Sequence, residues 1–472
     1  MKRAIVIGSG PNGLSAAVVL AQAGLRVEVY EAEDQPGGAA RTMELTLPGF
    51  RHDFGSSVYP LGAGSPFFRT LPLAELGLEW IHGEACVAHP FDDGSAVTLE
   101  HSFAEQEQVL GTEDGSAWTS LMRPASERWW DFAEDALKPP LHIPRHPLLM
   151  ARFSAYGVLP ADVLARRFRT ERARALLAGL VGHSLLSFNQ LMTSAVGLLF
   201  GASAVAVGWP IAKGGAQSIP DALIRRLQQF GGAVYTGRRI DSLDELDTRD
   251  AVILCDVTPV QLLRIAGPRL LPDYRRTLQR YVHGPGAFKI DYALSQPIPW
   301  KAPDCMRAMT IHVGGTYDEI AAGERAVWEG GQAERPFVLV TQPSLFDRIR
   351  APEGKHTAWA YCHVPYGAVE DRTRVIEDQI ERFAPGFRDC VLARRTWSPA
   401  DLQARNANLH GGDINAGAFT LRQIILRPGI RSYRTGTPGL YLCSAATPPG
   451  GGVHGMCGYS AAQAALRDLR LA

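Results

Sequence analysis

The sequence predicts an α/β fold, and three observations lead to that prediction. The chain has 472 residues, of which 46% are hydrophobic and 20% charged, a composition typical of a globular protein with two or three domains. Residues 3–31 alternate an apolar strand, a glycine-rich turn, an amphipathic helix and a second strand. Residues 447–466 place a run of glycines directly before a helix of small residues.

The N-terminal unit has the order expected of a Rossmann-type nucleotide site. Residues 3–7 are predicted to form a buried parallel strand, and residues 8–13 (Gly-Ser-Gly-Pro-Asn-Gly) match G-x-G-x-x-G. An amphipathic helix follows and ends at Gly24, and a second strand over residues 27–30 leads to Glu31. This acidic residue lies 23 positions after the first glycine, which is the spacing that a dinucleotide site requires.

Each residue of the turn has a physical reason to be there. Gly8 permits the tight turn, Gly10 lets the backbone approach a pyrophosphate, and Gly13 lets helix and strand pack closely. Pro11 and Asn12 begin the helix, and the N-terminus of the helix offers free N–H groups and the positive end of the dipole to phosphate. Glu31 can accept hydrogen bonds from a ribose diol. The pattern therefore predicts a dinucleotide site.

The next residues indicate which dinucleotide binds. Residues 36–42, Pro-Gly-Gly-Ala-Ala-Arg-Thr, resemble the GGxxRT segment of the FAD-binding family that contains phytoene desaturases and amine oxidases. In that family this segment runs alongside the flavin, which implies contacts from Gly37, Gly38 and Arg41. Residues 49–57 resemble the stretch that follows, whose glycine lies near the isoalloxazine ring. The matching residues are Gly55 and, beside it, Ser56.

The resemblance extends along the chain and implies a discontinuous, glutathione-reductase-like FAD-binding domain. Its expected segments are residues 1–65, 205–270 and 425–472. An interleaved α+β substrate domain with a helical part is expected over residues 66–204 and 271–424. Within it, residues 313–353 contain several glycines and are predicted to form loops and a lid.

Two later segments supply further expected cofactor contacts. Residues 210–243 resemble the unit that provides a backbone contact to adenine, and the matching position is Ile240. Residues 439–466 resemble the closing flavin segment, with Ser444, Gly452 and Val453 at cofactor-binding positions. The second G-x-G-x-x-G spelling in this segment is not a separate site, because no strand and acidic residue follow it.

Two side chains are candidates for catalysis. Lys289 lies in a strand where amine oxidases carry a lysine that holds a water near flavin N5. When this strand is aligned with the amine oxidase strand at Trp300, the register differs by one residue. The Lys289 side chain would then point to the other face of the sheet. His454 follows the glycine run and could face the ring or the substrate; alternatively, it caps the last helix. His183 lies in an apolar stretch and is interpreted as a core histidine.

Charge and cysteine content limit the classes of partner. The chain contains 48 basic and 48 acidic residues, so nucleic acid is not expected as a partner. Seven scattered cysteines without a C-x-x-C pair favour the cytoplasm and give no metal site. Residues 9–13 interrupt the first apolar stretch, so no signal peptide is expected.

Residues 138–174 contain eight basic and two acidic residues, which could form a peripheral membrane contact or a solvated face. The oligomeric state remains open.

The resemblance implies an FAD-dependent oxidoreductase acting on a small-molecule substrate, expected to be apolar. The first hypothesis is hydride removal, a dehydrogenation or desaturation, with oxygen or a quinone accepting the electrons. A double-bond isomerase, an amine oxidase and a non-catalytic FAD-binding scaffold are the alternatives. Amine oxidases often carry a glycine and an acid where this chain has Ser444 and Ala445, which favours the desaturase branch.

Overall fold

The computed structural model describes the backbone of residues 2–471 and the side chains of residues 2–470. Most strands belong to two separate sheets. The strands, in chain order, are β1 (Arg3–Ile7), β2 (Arg26–Tyr30), β3 (Thr42–Glu44), β4 (Arg51–Asp53), β5 (Trp80–Ile81), β6 (Ala85–Pro90), β7 (Ala96–Leu99), β8 (Ile211–Ala212), β9 (Ala233–Tyr235), β10 (Ala251–Cys255), β11 (Gly286–Leu294), β12 (Ala308–Val313), β13 (Val338–Thr341), β14 (His356–Val364), β15 (Val391–Trp397) and β16 (Leu440–Leu442).

Helices connect the strands and cover both sheets. The α-helices, in chain order, are α1 (Pro11–Gln22), α2 (Pro60–Ala63), α3 (Phe103–Ser126), α4 (Trp129–Ala136), α5 (Pro147–Gly157), α6 (Ala161–Leu164), α7 (Glu171–Gly182), α8 (Thr193–Val207), α9 (Ser218–Gln229), α10 (Pro259–Ala266), α11 (Pro272–Gln279), α12 (Tyr317–Trp328), α13 (Thr373–Phe383), α14 (Pro399–Arg405), α15 (Leu421–Ile425) and α16 (Met456–Leu471).

The first sheet has five parallel strands in the order β16-β10-β1-β2-β9. Its central strands are apolar because helices cover both faces, as the sequence of β1 predicts. The chain leaves β1 for β2 on one side and later returns to β10 on the other. The junction between β1 and β10 is therefore the topological switch point, where ligands bind beyond the carboxyl ends of the strands.

The second sheet has seven strands in the order β15-β11-β14-β13-β12-β6-β7, and only its β12–β6 pair is parallel. Alternate residues face opposite sides of a strand, so each strand contributes to two environments. On one face, Ile290 and Tyr292 of β11 belong to a core that includes Ile376 and Ile380 of α13. The opposite face, which carries Lys289, borders a cavity described below.

The helical part, α3 to α8, packs against the seven-stranded sheet through a shared core that includes Trp118 of α3, Phe168 and Leu339 of β13. Helix α8 and the greater part of α7 lie in segment 175–212, which contains no Asp, Glu, Lys or Arg, and most residues of this segment are buried. No single helix among residues 2–471 is long and apolar enough to cross a membrane. By length and composition, α5 and residues 161–167 together would qualify, but they meet at an angle of 91°.

The predicted α/β fold, with its Rossmann-type domain and a second domain of sheet and helices, is confirmed. The domain boundaries stay a prediction. The loops and lid predicted for residues 313–353 were wrong in part, because this stretch contains α12 and β13. The side chains of Thr316 and Glu319 form a capping box at the start of α12, a local signal that the glycines obscured.

Candidate active site

The glycine-rich turn lies at the switch point, between the ends of β1, β2 and β10. Gly8 has φ of +97°, which favours glycine, and its N–H donates to the carbonyl of Tyr30 at 2.8 Å. A Cβ at Gly13 would lie 2.2 Å from the carbonyl oxygen of Gly8, so helix α1 approaches β1 as closely as predicted. Among the described residues, the N–H groups of Gly10 and Asn12 have no protein acceptor, which leaves them free for a ligand.

A buried carboxyl lies beneath this turn, and sequence analysis missed it. Asp256 follows β10, and its Oδ2 accepts a hydrogen bond from the N–H of Gly13 at 2.9 Å. A Cβ at Gly10 would lie 2.6 Å from the same oxygen, so this glycine is required by the carboxyl as well as by a ligand. Burial, with a smaller contribution from Glu31, raises the pKa of Asp256 to about 7.

Glu31 lies at the end of β2 beside the turn, as predicted. Its Oε2 accepts hydrogen bonds from the N–H and the hydroxyl of Ser9, and its Oε1 accepts one from the N–H of Glu33. These bonds orient the carboxylate and leave further lone pairs on both oxygens. A ribose diol could therefore bind to Glu31 without displacing a protein contact.

The GGxxRT segment packs against the turn, but its residues have different positions. Gly38 and Arg41 border the cavity above Gly8, whereas Gly37 lies behind it and donates its N–H to the hydroxyl of Ser9 at 3.1 Å. The guanidinium of Arg41 is fully buried, and burial lowers its pKa. Its NH2 group donates to the carbonyl of Arg405 at 3.3 Å, while its Nε has no partner in the described chain.

These elements enclose a first cavity of about 620 Å³. The predicted residues that line it are Gly8, Gly10, Glu31, Gly38, Arg41 and Ile240. Its opposite wall is formed by α14 and the loop that follows, within residues 399–411, a segment that sequence analysis did not assign to the site. Asn408 holds this wall in place, because its Nδ2 donates to the carbonyl of Asp256 at 2.9 Å. The polar residues Asn406, Asn408 and His410 are the sequence signal for this wall.

A second, more apolar cavity of about 320 Å³ begins at the other side of the same turn, since Gly10 lines the first cavity and Pro11 the second. The predicted residues that line it are Pro11, Asn12, Gly55, Ser56, Lys289, Gly452 and Val453. The C-terminal glycine run thus shares this cavity with the N-terminal turn. Close packing of α16 on α1 makes that possible, because a Cβ at Gly458 would lie 1.8 Å from the carbonyl of Asn12.

Lys289 is the only side chain lining the second cavity that carries a formal charge at neutral pH, within residues 2–471. Its Nζ donates to both carboxylate oxygens of Asp291, at 2.6 and 2.7 Å, and to the carbonyl of Asp53 at 3.0 Å. Trp397 donates its Nε1–H to the same carboxylate at 2.9 Å. Of the two registers considered, the structure therefore places Lys289 on the cavity face of β11.

His454 and Ser444 lie outside the linings of both cavities. The buried ring of His454 accepts the N–H of Met456 through Nδ1 at 3.0 Å, and burial lowers its pKa to about 4. This geometry favours the capping alternative over a catalytic role. Ser444 hydrogen bonds within its own turn, and its neighbour Ala445 lines the second cavity instead.

The two cavities fit a flavin dinucleotide. Two buried polar atoms that border them, Nε of Arg41 and Oδ1 of Asn12, have no hydrogen-bond partner in the described chain, although buried polar groups are normally paired. The first cavity has the donors and the carboxylate that a nucleotide requires, and the second has glycine walls and an apolar interior. Both are consistent with one extended cofactor.

Comparisons with known proteins support this interpretation. Residues 6–71 match the model of the NAD(P)-binding Rossmann-like domain. The chain is 28% identical to pyridine nucleotide-disulfide oxidoreductase domain-containing protein 2 of Mus musculus, with 99% of this chain and 94% of that protein covered. It is 25% identical to the neurosporene-forming phytoene desaturase of Cereibacter sphaeroides, with 98% and 94% covered.

A solved structure of putrescine oxidase bound to putrescine has the same fold. Its TM-score is 0.63 at 16% identity, over 100% of this chain and 99% of that one. The full-length relatives, the domain match and this shared architecture agree with the glycine-rich turn, the GGxxRT segment and the closing glycine run. The chain is thus similar, over nearly its whole length, to phytoene desaturases, and it shares its fold with an amine oxidase.

Proposed function

We propose that this oxidoreductase binds FAD and removes a hydride from a lipophilic or mid-sized organic substrate, with oxygen or a quinone accepting the electrons. The observation that carries the proposal is the apolar cavity that continues from the nucleotide cavity at Pro11 and Asn12. A cofactor held in the first cavity could extend its reactive end into the second, where a substrate C–H bond would meet it. FAD supplies the two-electron acceptor when bound.

The residues of the chain have distinct tasks in this proposal. Glu31 would hold the ribose, while the N–H groups of Gly10 and Asn12 and the guanidinium of Arg41 would bind the pyrophosphate. Gly452 and Val453 would bring backbone close to the flavin. Lys289 remains the candidate catalytic residue, because it is the charged group on the cavity wall and can polarise a water or an oxygen molecule there.

The lining of the second cavity favours a neutral substrate over an amine. Within the described chain it includes no aspartate or glutamate, and its one formal charge is the cation of Lys289. A cationic amine would enter this cavity without a carboxylate partner of its own, which is unfavourable in an apolar environment. Dehydrogenation of a neutral molecule is therefore preferred to amine oxidation.

One experiment separates the proposal from its alternatives. The purified protein should be yellow, and a panel of neutral lipophilic compounds should be screened for bleaching of the flavin absorbance without oxygen. Bleaching with a product that has lost two hydrogens supports dehydrogenation, whereas a product of unchanged mass indicates an isomerase. A yellow protein that no compound bleaches favours the scaffold. A colourless protein that binds no added FAD refutes the proposal.

We also propose a peripheral membrane contact near residues 138–163. Its apolar side chains are unusually accessible for a folded protein, with Leu141, Ile143 and Leu148 exposed by 69, 94 and 85%. Arg145 lies between them, and the surrounding segment has a positive excess. An interfacial segment of this kind inserts apolar side chains while basic residues contact anionic lipid.

Vesicles that contain anionic phospholipid should therefore bind the protein. The double variant I143D/L148D is expected to bind at least about tenfold more weakly, because two exposed side chains can no longer be buried. V369D is the matched control, since Val369 is 83% exposed but lies outside the segment. Sedimentation with vesicles measures binding, and equal binding by all three proteins would contradict the contact.

A further inference from the structure

The wall of the second cavity opposite the glycine segments is one face of the seven-stranded sheet. Lys289 of β11 pairs with Tyr361 of β14, which pairs with Leu339 of β13, which pairs with His312 of β12. Directly paired residues share a face, so these four side chains form a row across the sheet. Thr310 lies two residues before His312 and is therefore on the same face.

A pair of histidines lies at the β12 end of this row. His183, which follows α7, borders the cavity, and its Nε2 lies 3.1 Å from Nε2 of His312. His312 is completely buried, and burial lowers its pKa well below the usual value. Burial also lowers the pKa of His183 to about 3. Both rings are thus neutral near pH 7, and each has one N–H and one lone pair.

The surroundings of His312 determine which nitrogen carries each proton. Its Nδ1 has no partner in the described chain and packs against Gly179, where an added Cβ would lie only 2.3 Å away. Buried N–H groups without an acceptor are rarer than unpaired lone pairs, so Nδ1 carries the lone pair. Nε2–H of His312 then donates to Nε2 of His183. His183 must carry its proton on Nδ1, which has no acceptor among the described residues.

A hydroxyl at the same end of the row is also free to donate. The Nε1–H of Trp209 donates to Oγ1 of Thr310 at 3.0 Å, so the threonine acts as acceptor in that bond. Its own O–H has no protein acceptor in residues 2–471, and both residues line the cavity. At the β12 end of the row, the cavity wall therefore includes two residues with an uncommitted donor, His183 with its N–H and Thr310 with its O–H.

We infer that these two donors form a binding site for an oxygen acceptor of the substrate, such as a carbonyl. Free donors on a cavity wall cost free energy unless a ligand pairs with them, and a plain hydrocarbon cannot do so. Three strand spacings separate β12 from β11, which places the site about 14 Å from Lys289. The substrate class is thus a neutral, lipophilic compound with an oxygen at the end remote from the reacting C–H bond.

This inference rests on the proposed function, since it takes the cavity to be the substrate site. Three probes of similar shape test it on the FAD-bound protein: 4-phenylcyclohexanone, phenylcyclohexane and 4-phenylcyclohexylamine. The flavin absorbance change on titration measures each affinity. The ketone should bind about tenfold more tightly than the hydrocarbon, which corresponds to about 1.4 kcal/mol, and the amine should bind most weakly.

Substitutions of His183 and Thr310 test whether the preference for the ketone over the hydrocarbon arises at this site. H183F should weaken ketone binding about fivefold and leave hydrocarbon binding within about twofold, and T310V should have the same direction of effect. Leu402 lines the cavity without a polar atom, so the control variant L402V should affect both probes alike. If H183F does not fold, T310V and the wild-type preference still test the inference.

The outcomes separate failure of the inference from failure of the proposed function. A yellow protein without a preference for the ketone, or with a preference that H183F and T310V leave unchanged, overturns the oxygen site alone. Preference for the amine would show that His183 presents a lone pair, and it also overturns the site. A colourless protein without affinity for FAD overturns the proposed function itself.

Discussion

Replacing Lys289 with methionine should lower the free energy of unfolding by about 3–5 kcal/mol, because it leaves a buried carboxylate without its ion partner. The side chain of Asp291 is completely buried, and the paired Nζ of Lys289 is the nearest cation to it. The remaining donor to this carboxylate, Nε1–H of Trp397, is neutral and cannot compensate the charge. Chemical denaturation of the wild type and of K289M measures the difference.

The double variant K289M/D291N distinguishes the structural task of Lys289 from a catalytic one. Asparagine removes the unpaired charge and can still accept the hydrogen bond from Trp397, so most of the lost stability should return. Oxidation of the dithionite-reduced protein in air should nevertheless remain about tenfold slower than in the wild type, because the cavity has lost its cation. The exposed Lys355 provides the control K355M. A double variant with wild-type oxidation rates would show that Lys289 is structural only.

Replacing Asp256 with asparagine should remove a pH dependence of FAD binding near neutrality. The carboxyl lies under the turn that would hold the pyrophosphate, and burial raises its pKa to about 7. Above that pH it carries a negative charge, which repels the pyrophosphate. The wild-type dissociation constant should therefore increase about tenfold from about pH 6.5 to about pH 8.5, and that of D256N should stay constant.

The stability of the cofactor-free protein should change with pH in the same direction. The folded-state pKa of Asp256 lies above that of an unfolded aspartate, so the folded state binds more protons and loses stability as the pH rises from about 4 to about 7. D256N should therefore be the more stable protein at pH 8. D241N is a suitable control, because Asp241 is exposed and paired with Arg264. Parallel pH profiles of wild type and D256N would contradict the assignment.

Local sequence patterns were sufficient to predict the nucleotide-binding part of the site. Residues 3–31 contain strand, turn, helix, strand and acid within one short segment, so the position of Glu31 beside the turn follows from geometry that neighbouring residues impose. The GGxxRT segment and the C-terminal glycines were assigned by resemblance, and the structure brings Gly38, Arg41, Gly452 and Val453 to the two cavities. Gly37 and Ser444 lie next to residues that line the cavities but do not line them themselves. A sequence pattern does not distinguish a lining residue from its neighbour in the chain.

Long-range packing accounts for what the sequence could not reveal. The hydrogen bond between Asp256 and Gly13 joins residues that are 243 positions apart in the chain, and the one between Asn408 and Asp256 joins residues that are 152 apart. His183 was interpreted as a core histidine because its neighbours in sequence are apolar, but it borders the cavity and contacts His312 of β12. Short-range order is encoded in periodicity and turn residues, whereas the protonation and accessibility of a side chain depend on which distant groups surround it. For this protein the dinucleotide site follows from the short-range patterns, and the chemistry of the second cavity follows from the tertiary packing.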